Sequence, residues 1–391
     1  MALVLKIIGG VLLFLVIAVA LAIVIVPRFL DRIYYEGPAS DHFDGARFFN
    51  PDGDADTLRP GPRGSGGRAG FFWRYLTGSD GRPPWPEHVA VVPGKPEPRV
   101  DGERMVATWI GHATVLIQTQ GLNILTDPIY AEKAGPLGFG PKRVTAPGVR
   151  FEDLPKIDLV LVSHNHYDHL DKAALKRIWE RDKPTIVTSL GNDSVIGQTG
   201  AKATALDWGQ RLEVRPGVNV AVTRNHHWGS RWFTDRNRAL WSSFVVTLPS
   251  GGNLFFAGDT GLGDGKWPAE AAALGPIRLA LIPIGAFRFE PGQMVSGSHI
   301  GPIDAARVFH RLGASTAIPI HWGTFRLSYE QRDTPPKMLE LALRCAGGDP
   351  ARFAPPEMGR AVDVPPYAAP TRLDEAKLDG CAKEPAITAL P

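Results

Sequence analysis

Ser163-His164-Asn165-His166-Tyr167-Asp168-His169 decides the reading of this chain, because it follows the continuously apolar run Ile157–Ser163. An apolar run of that length predicts a strand buried on both faces. Four potential ligands then fall within six residues, at His164, His166, Asp168 and His169. His164 and His166 are two apart and project to one side of an extended chain. One cation cannot easily take all four from so short a loop, but two neighbouring cations can: His164 and His166 on one, Asp168 and His169 on the other. Imidazole and carboxylate without thiolate suit Zn²⁺, with Fe or Mn also compatible.

Three further polar residues end β-rich runs downstream. They are His227 in Asn225-His226-His227-Trp228, Asp259 in Phe256-Ala257-Gly258-Asp259-Thr260-Gly261, and His321 in Ile320-His321-Trp322-Gly323. A carboxylate bridges two cations where an imidazole does not, so Asp259 is the expected bridge. His227 or its neighbour His226 completes one site, and His321 the other. Two dications about 3.5–4 Å apart would generate a bridging hydroxide near neutral pH and hold the oxyanion it forms. Hydrolysis without a protein nucleophile is therefore expected, and no G-x-S-x-G elbow is present.

The chain has 391 residues, 43 Lys+Arg against 40 Asp+Glu, and 44% hydrophobic residues. That excludes global disorder, and without a long basic run it argues against nucleic acid as a partner. Two cysteines, Cys345 and Cys381, exclude a disulfide scaffold, an iron–sulfur centre and a thiolate zinc finger; whether the two pair is open. Residues 1–26 are set apart by an uncharged apolar run, Ile7–Val26, which at helical rise spans about 30 Å. It continues past the small-residue pattern Ala18-Val19-Ala20, so an uncleaved single-pass anchor is expected rather than a signal peptide. Lys6 on one side and Arg28 and Arg32 on the other leave its orientation undetermined.

Residues 27–104 are rich in Pro and Gly yet carry Phe43, Phe48, Phe49, Phe71, Phe72, Trp73, Tyr75 and Trp85. This predicts an irregular extension whose rings pack on the catalytic domain. From 105 to 345 strands and helices alternate, which predicts an α/β or α+β fold with two covered sheets. Strands are expected at Val106–Ile110, Val115–Thr119, Leu122–Thr126, Val218–Thr223, Leu240–Leu248, Leu254–Ala257, Leu279–Ile284 and Thr316–Ile320, with helices at Asp171–Arg181 and Pro302–Leu312. Residues 346–391, with eight prolines, read as an irregular tail.

The H-x-H-x-D-H run, the later His, the Gly-Asp-Thr-Gly segment and the last His resemble the metallo-β-lactamase superfamily. Its fold, a four-layer αββα sandwich, is implied by that resemblance. Thr108–Thr114, Leu125–Ile129, Gly140–Arg143, Ser163–Leu170, Phe256–Gly261, Pro283–Ala286 and Ile320–Phe325 look more specifically like N-acyl-phosphatidylethanolamine-hydrolysing phospholipase D and its bacterial relatives. The resemblance runs from about residue 105 to 330. It implies His227, which precedes Trp228, as the third-segment ligand. It gives one zinc to His164, His166, His227 and Asp259, and the other to Asp168, His169, Asp259 and His321. It implies that Asp127 supports ligand imidazoles from behind, and that His299 and His112 face the substrate. The termini and the stretch 287–298, which would shape the substrate channel, depart from that family.

The function implied is a membrane-anchored dinuclear zinc phosphodiesterase of the phospholipase D type, sited at the bacterial inner membrane. Its partners would be a phospholipid substrate and the membrane itself, and an oligomer is compatible. The alternatives are another hydrolase of the superfamily, such as a lactonase or a β-lactam hydrolase, or a non-catalytic membrane-tethered envelope protein. Arg288 and Arg326 are further candidates for contacting a phosphate.

Overall fold

Period-two patterning gives the strands two useful faces, and two sheets stack through them. The computed structural model describes residues 2–30, 33–53, 81–232, 234–289, 297–370 and 373–391. The first sheet contains β1 (Met105–Gly111), β2 (Thr114–Thr119), β3 (Leu122–Thr126), β4 (Leu159–Val162), β5 (Thr185–Ser189), β6 (Thr204–Leu206) and β13 (Ala361–Val364), in the order β13-β1-β2-β3-β4-β5-β6. The second contains β7 (Arg211–Arg215), β8 (Val218–Thr223), β9 (Ser243–Thr247), β10 (Asn253–Phe256), β11 (Ile277–Pro283) and β12 (Thr316–Ile320), in the order β12-β11-β10-β9-β8-β7.

Ala107, Ile117, Ile124 and Leu161 of the first sheet cluster with Val220, Phe244, Phe256 and Leu281 of the second. The alternate residues Leu116, Leu125 and Val160 turn outward, onto Leu175 and Ile178 of α2 (Lys172–Asp182) and Val195 and Ile196 of α3 (Asn192–Gly197). On the far side, Phe255, Ala280 and Ile282 pack with Ala305, Val308 and Leu312 of α5 (Pro302–Leu312) and Met338 and Leu339 of α6 (Thr334–Cys345). The short α4 (Trp267–Ala272) joins that layer. The four layers are helix, sheet, sheet, helix, which is the metallo-β-lactamase fold.

Strand direction positions the site. β1 and β3 are each antiparallel to β2, and β4 is parallel to β3, so β1, β3 and β4 point one way. β8 and β10 are each antiparallel to β9, and β10, β11 and β12 are mutually parallel, so β8, β10 and β12 also share a direction. The carboxyl ends of these six strands carry His112, Asp127, His164, His227, Asp259 and His321. Loops at strand carboxyl ends are where open α/β sheets bind ligands.

The C-terminal region differs from the irregular tail expected of it. Its β13 pairs with β1 in the register Met105 to Val364, and α7 (Glu375–Cys381) and α8 (Pro385–Thr388) follow. Proline density marked the loops between these elements and hid the elements themselves. Cys345 and Cys381 form a disulfide, with Cα atoms 6.0 Å apart, that ties α7 to the end of α6.

In the extension, Phe43 and Phe48 are buried against Leu240 and Trp241, with Tyr35 and Trp208 beside them. Phe71, Phe72, Trp73 and Tyr75 lie outside the described residues. At the N-terminus, α1 (Ala2–Leu30) contains one span, Ala2–Ile25, long and apolar enough to cross a membrane, with a mean hydropathy of 3.2 and none of it buried in the protein.

Candidate metal centre

The strand ends hold their site residues by short, specific contacts. After β4 the chain runs through the largely buried segment Ser163 to His169 and re-enters a helix at α2, whose cap Asp171 accepts from the amides of Ala173 and Ala174. The other carboxylate oxygen of Asp171 accepts from the amides of Tyr130 and Ala131, which fixes this turn to the loop after β3. His112 (φ 52°), Asp127 (φ 29°) and His321 (φ 61°) all adopt left-handed backbone at their strand ends. Such conformations are uncommon outside glycine, though Asp and His tolerate them better than most, and they cluster at functional sites. Gly258 is also left-handed (φ 61°), and a Cβ there would lie 2.6 Å from Ser163 Cβ. Only glycine lets the β10 end close onto the β4 end.

Two groups of ligand atoms result. In the first, His164 Nε2 lies 2.8 Å and His227 Nε2 3.3 Å from His166 Nδ1, and His227 Nε2 lies 3.9 Å from Asp259 Oδ2. In the second, Asp259 Oδ2 lies 3.1 Å from His169 Nε2 and 2.9 Å from His321 Nε2, while Asp168 Oδ2 lies 3.5 Å and 3.4 Å from the same two nitrogens. Asp259 therefore reaches both groups. His112 joins the second, with Nε2 3.0 Å from Asp168 Oδ2. His299 stands across the centre, its Nδ1 3.8 Å from Asp259 Oδ2 and its ring 4.9 Å from that of His227. His226 turns away and meets Asp52 Oδ1 at 2.9 Å.

The donor set fits cations. Ligand atoms bound to one tetrahedral zinc at its usual bond lengths lie roughly 3.3 Å apart, close to the spacings here. Despite those approaches, His169 Nε2, His321 Nε2 and Asp259 Oδ1 are buried with no well-aligned hydrogen bond among the described residues, a costly state unless a further partner is supplied.

The imidazoles are aimed from behind. His169 Nδ1 donates to Asp127 Oδ2 at 2.6 Å. Ser163 Oγ donates to the same carboxylate at 2.5 Å and accepts from His164 Nδ1 at 2.9 Å. Asp127 thus orients two rings, one directly and one through Ser163. His227 Nδ1 donates to the Ser298 carbonyl at 2.8 Å and His321 Nδ1 to that of Gly285 at 3.2 Å. Each of these four rings turns Nε2 to the centre.

Ser163 lay within the decisive stretch, but its relay role depends on Asp127, 36 residues earlier. Asn50 of the extension had no signal. Its side chain donates to the His227 carbonyl at 2.8 Å, accepts from the His227 amide at 3.3 Å, and also accepts from Trp241 Nε1 at 3.1 Å.

Charge is arranged asymmetrically. Burial holds His166, His227, His112 and His299 down to about 3, and His164 also well below its usual value. Burial likewise opposes protonation of His321, but the Asp259 carboxylate and contacts with Asp168 outweigh it and push this ring up to about 9. His169 is raised for the same reason, by Asp259 and Asp168. Burial opposes ionisation of Asp168 and Asp259, yet the charge of His169, with His321 beside it, keeps both carboxyls well below the usual range. In the metal-free centre protonation is thus favoured on His169 and His321 and opposed on Asp168 and Asp259, while burial raises the Asp127 carboxyl behind His169, and cations would compete with the ring protons.

The chain is similar to several known proteins. The sequence model of the beta-lactamase superfamily domain matches residues 122–322, a span that holds Asp127 and all seven expected ligands. N-acyl-phosphatidylethanolamine-hydrolyzing phospholipase D 1 of Caenorhabditis elegans is 38% identical over 232 residues, covering 56% of this chain and 64% of the relative. The mitochondrial N-acyl-phosphatidylethanolamine-hydrolyzing phospholipase D of Saccharomyces cerevisiae is 33% identical over 258 residues, covering 65% of this chain and 54% of the relative. The chain thus spans less than two thirds of either relative's length. Among solved structures, a metallo hydrolase from the archaeon Ignicoccus hospitalis aligns with a TM-score of 0.52 and 21% identity, over 68% of this chain and 100% of its own; at that identity the likeness carries the fold.

Proposed function

Because the chain belongs to the metallo-β-lactamase superfamily, we propose that it is a metal-dependent hydrolase, specifically a membrane-anchored dinuclear zinc phosphodiesterase acting on N-acyl-phosphatidylethanolamine-like lipids. The observation that carries this reading is the pair of ligand groups sharing Asp259. His164, His166, His227 and Asp259 would hold one cation, and Asp168, His169, Asp259 and His321 the other. When bound, such a pair supplies Lewis acidity and lowers the pKa of water. The chain's own residues do the rest. Asp127 and Ser163 fix two imidazoles, and the carbonyls of Ser298 and Gly285 fix two more. His112 and His299 are buried rings facing the centre, held neutral by burial, and each has an Nδ1 with no hydrogen-bond partner among the described residues. They are suited to donate to, or accept from, a substrate oxygen.

The lipid substrate is supported by the two phospholipase D relatives, and the anchor by the apolar Ala2–Ile25 span. A Cys345–Cys381 disulfide favours a catalytic domain on an oxidising face of that membrane. The test is a substrate panel on the full chain in detergent micelles: an N-acyl-phosphatidylethanolamine, a phosphorylated sugar lactone and a β-lactam, each with chelator and after Zn²⁺ is restored. Phosphatidate release that stops with chelator and returns with Zn²⁺ is expected. Turnover of the lactone or β-lactam alone would replace the lipid with another substrate, and no metal-dependent turnover of any of them would sink the reading.

A further inference from the structure

Beside the metal centre the chain builds a second cavity, of about 640 Å³, whose character is cationic. Arg82, Lys142, Arg143 and Arg326 line it against the single acid Glu87, and Trp85 forms a wall. The wall is fixed, since Trp85 Nε1 donates to the Glu330 carbonyl at 3.1 Å. The arginines are fixed too. Arg82 Nη1 donates to the Arg326 carbonyl at 3.3 Å, and Arg326 Nη1 to that of Pro83 at 3.3 Å. Arg143 Nη2 donates to the Ile129 carbonyl at 3.1 Å, while its Nε and Nη1 are buried with no hydrogen-bond partner among the described residues. Burial holds its pKa down to about 10. Neither Arg143 nor Arg326 makes an ion pair among the described residues. Lys142 meets only Glu132, at 3.2 Å, with both side chains largely exposed.

The desolvated guanidinium of Arg143, with no ion pair among the described residues, carries a cost that a nearby anion offsets, and rigid guanidinium forks match phosphate oxygens best. The rim supplies a second property. Lys133 and Lys142 bridge across a hairpin that carries Phe139, which is 72% exposed. An exposed ring on a hairpin that also carries Lys133 and Lys142, in a chain with a membrane-length apolar helix, matches the boundary between lipid headgroup and acyl chain. The cavity is distinct from the metal centre. Phe325 links the two, with Arg143 5.5 Å from one side of its ring and His112 5.2 Å away edge-on.

We propose that the cavity lined by Arg82, Lys142, Arg143 and Arg326 recognises the phosphate of an anionic phospholipid headgroup and seats the catalytic domain on the lipid surface. This does not depend on which bond the metal centre cleaves.

Isothermal titration of the full chain in neutral detergent micelles tests it, with chelator present so that turnover is silent. Dihexanoyl-phosphatidylglycerol is one titrant and inorganic phosphate the other. The doubly substituted R326Q/K142Q chain should bind the lipid at least about tenfold more weakly, as expected for losing charge-assisted hydrogen bonds. Its melting midpoint should stay unchanged, and K142Q alone, at an exposed position, serves where the double substitution lowers that midpoint. Inorganic phosphate should compete poorly. Equal affinity in the parent and substituted chains overturns the site. Displacement of the lipid by an equal concentration of inorganic phosphate overturns the lipid assignment and makes this a free-phosphate site.

Discussion

Asp127 touches no cation in the proposed centre, yet it sets the aim of His169 directly and of His164 through Ser163. Asp127→Asn replaces an acceptor-only group by one that must also donate, and removes the charge behind both rings. Zinc affinity should fall about 10–100-fold with the fold retained, measured by competition with a chromophoric chelator; unchanged affinity would make Asp127 a structural residue only. The rings also predict how the metal-free protein responds to pH. His321 has a folded value of about 9, above the ordinary one of about 6.5. Its contribution to stability is complete below about 6.5 and is lost as pH rises through 9. His166 and His227, held down to about 3, act oppositely: below about 6.5 the unfolded chain takes up protons that the folded chain refuses. Melting of the chelated protein should therefore peak near pH 6.5 and fall on both sides. A midpoint that climbs steadily to pH 9 would refute this charge arrangement.

At the scale of elements, the C-terminal region is held by two non-local devices, the pairing of β13 with β1 and the disulfide between α6 and α7. The bridged cysteines are 36 residues apart, so the cross-link restricts the unfolded chain substantially. Replacing both by serine should lower stability by about 2–4 kcal/mol. The disulfide ties α7 to α6 and holds no ligand loop, so zinc affinity should change little. Chemical denaturation and zinc titration of the double variant check the two halves of this prediction, and a parallel loss of zinc binding would show that the cross-link and the metal centre are coupled. The extension is also an element with a task, because Asn50 clamps the His227 segment from both its amide and its carbonyl.

For the whole molecule, the metal centre joins loops from both sheets, so cations should act as a clasp across the sandwich. Removing them with chelator should lower the melting midpoint, since a ligand present at about a thousandfold over its dissociation constant stabilises by about 4 kcal/mol. Calorimetry with and without Zn²⁺ measures the difference, and identical midpoints would argue against a shared centre. The apolar span Ala2–Ile25 is unburied among the described residues, so its burial is expected in a bilayer. The mature chain should retain Ile7–Val26 and sediment with membranes. N-terminal sequencing that begins after Ala20 would instead identify the span as a removed leader.

Local chemistry was enough for much of this protein. The strands Leu122–Thr126, Val218–Thr223 and Thr316–Ile320 and the helix Pro302–Leu312 are legible because apolar periodicity, a proline at the first helical turn and a terminal glycine act over a few residues. His164, His166, Asp168 and His169 are legible because a short loop concentrates their chemistry. Residue spacing left His226 and His227 open and the resemblance chose His227; the tertiary structure turns that ring to the centre through the Asn50 and Ser298 contacts, since adjacent residues on an extended segment point opposite ways. Tertiary structure alone decided the Asp127–Ser163–His164 relay, the strand hidden among the prolines near Val364, and the cationic cavity that gathers Arg82, Lys142 and Arg326 from three separate segments. The reason is common to all of these: periodicity and propensity act between neighbours along the chain, whereas hydrogen-bond partners, strand pairing and charge clusters join residues far apart in sequence, which become neighbours only when the two sheets close.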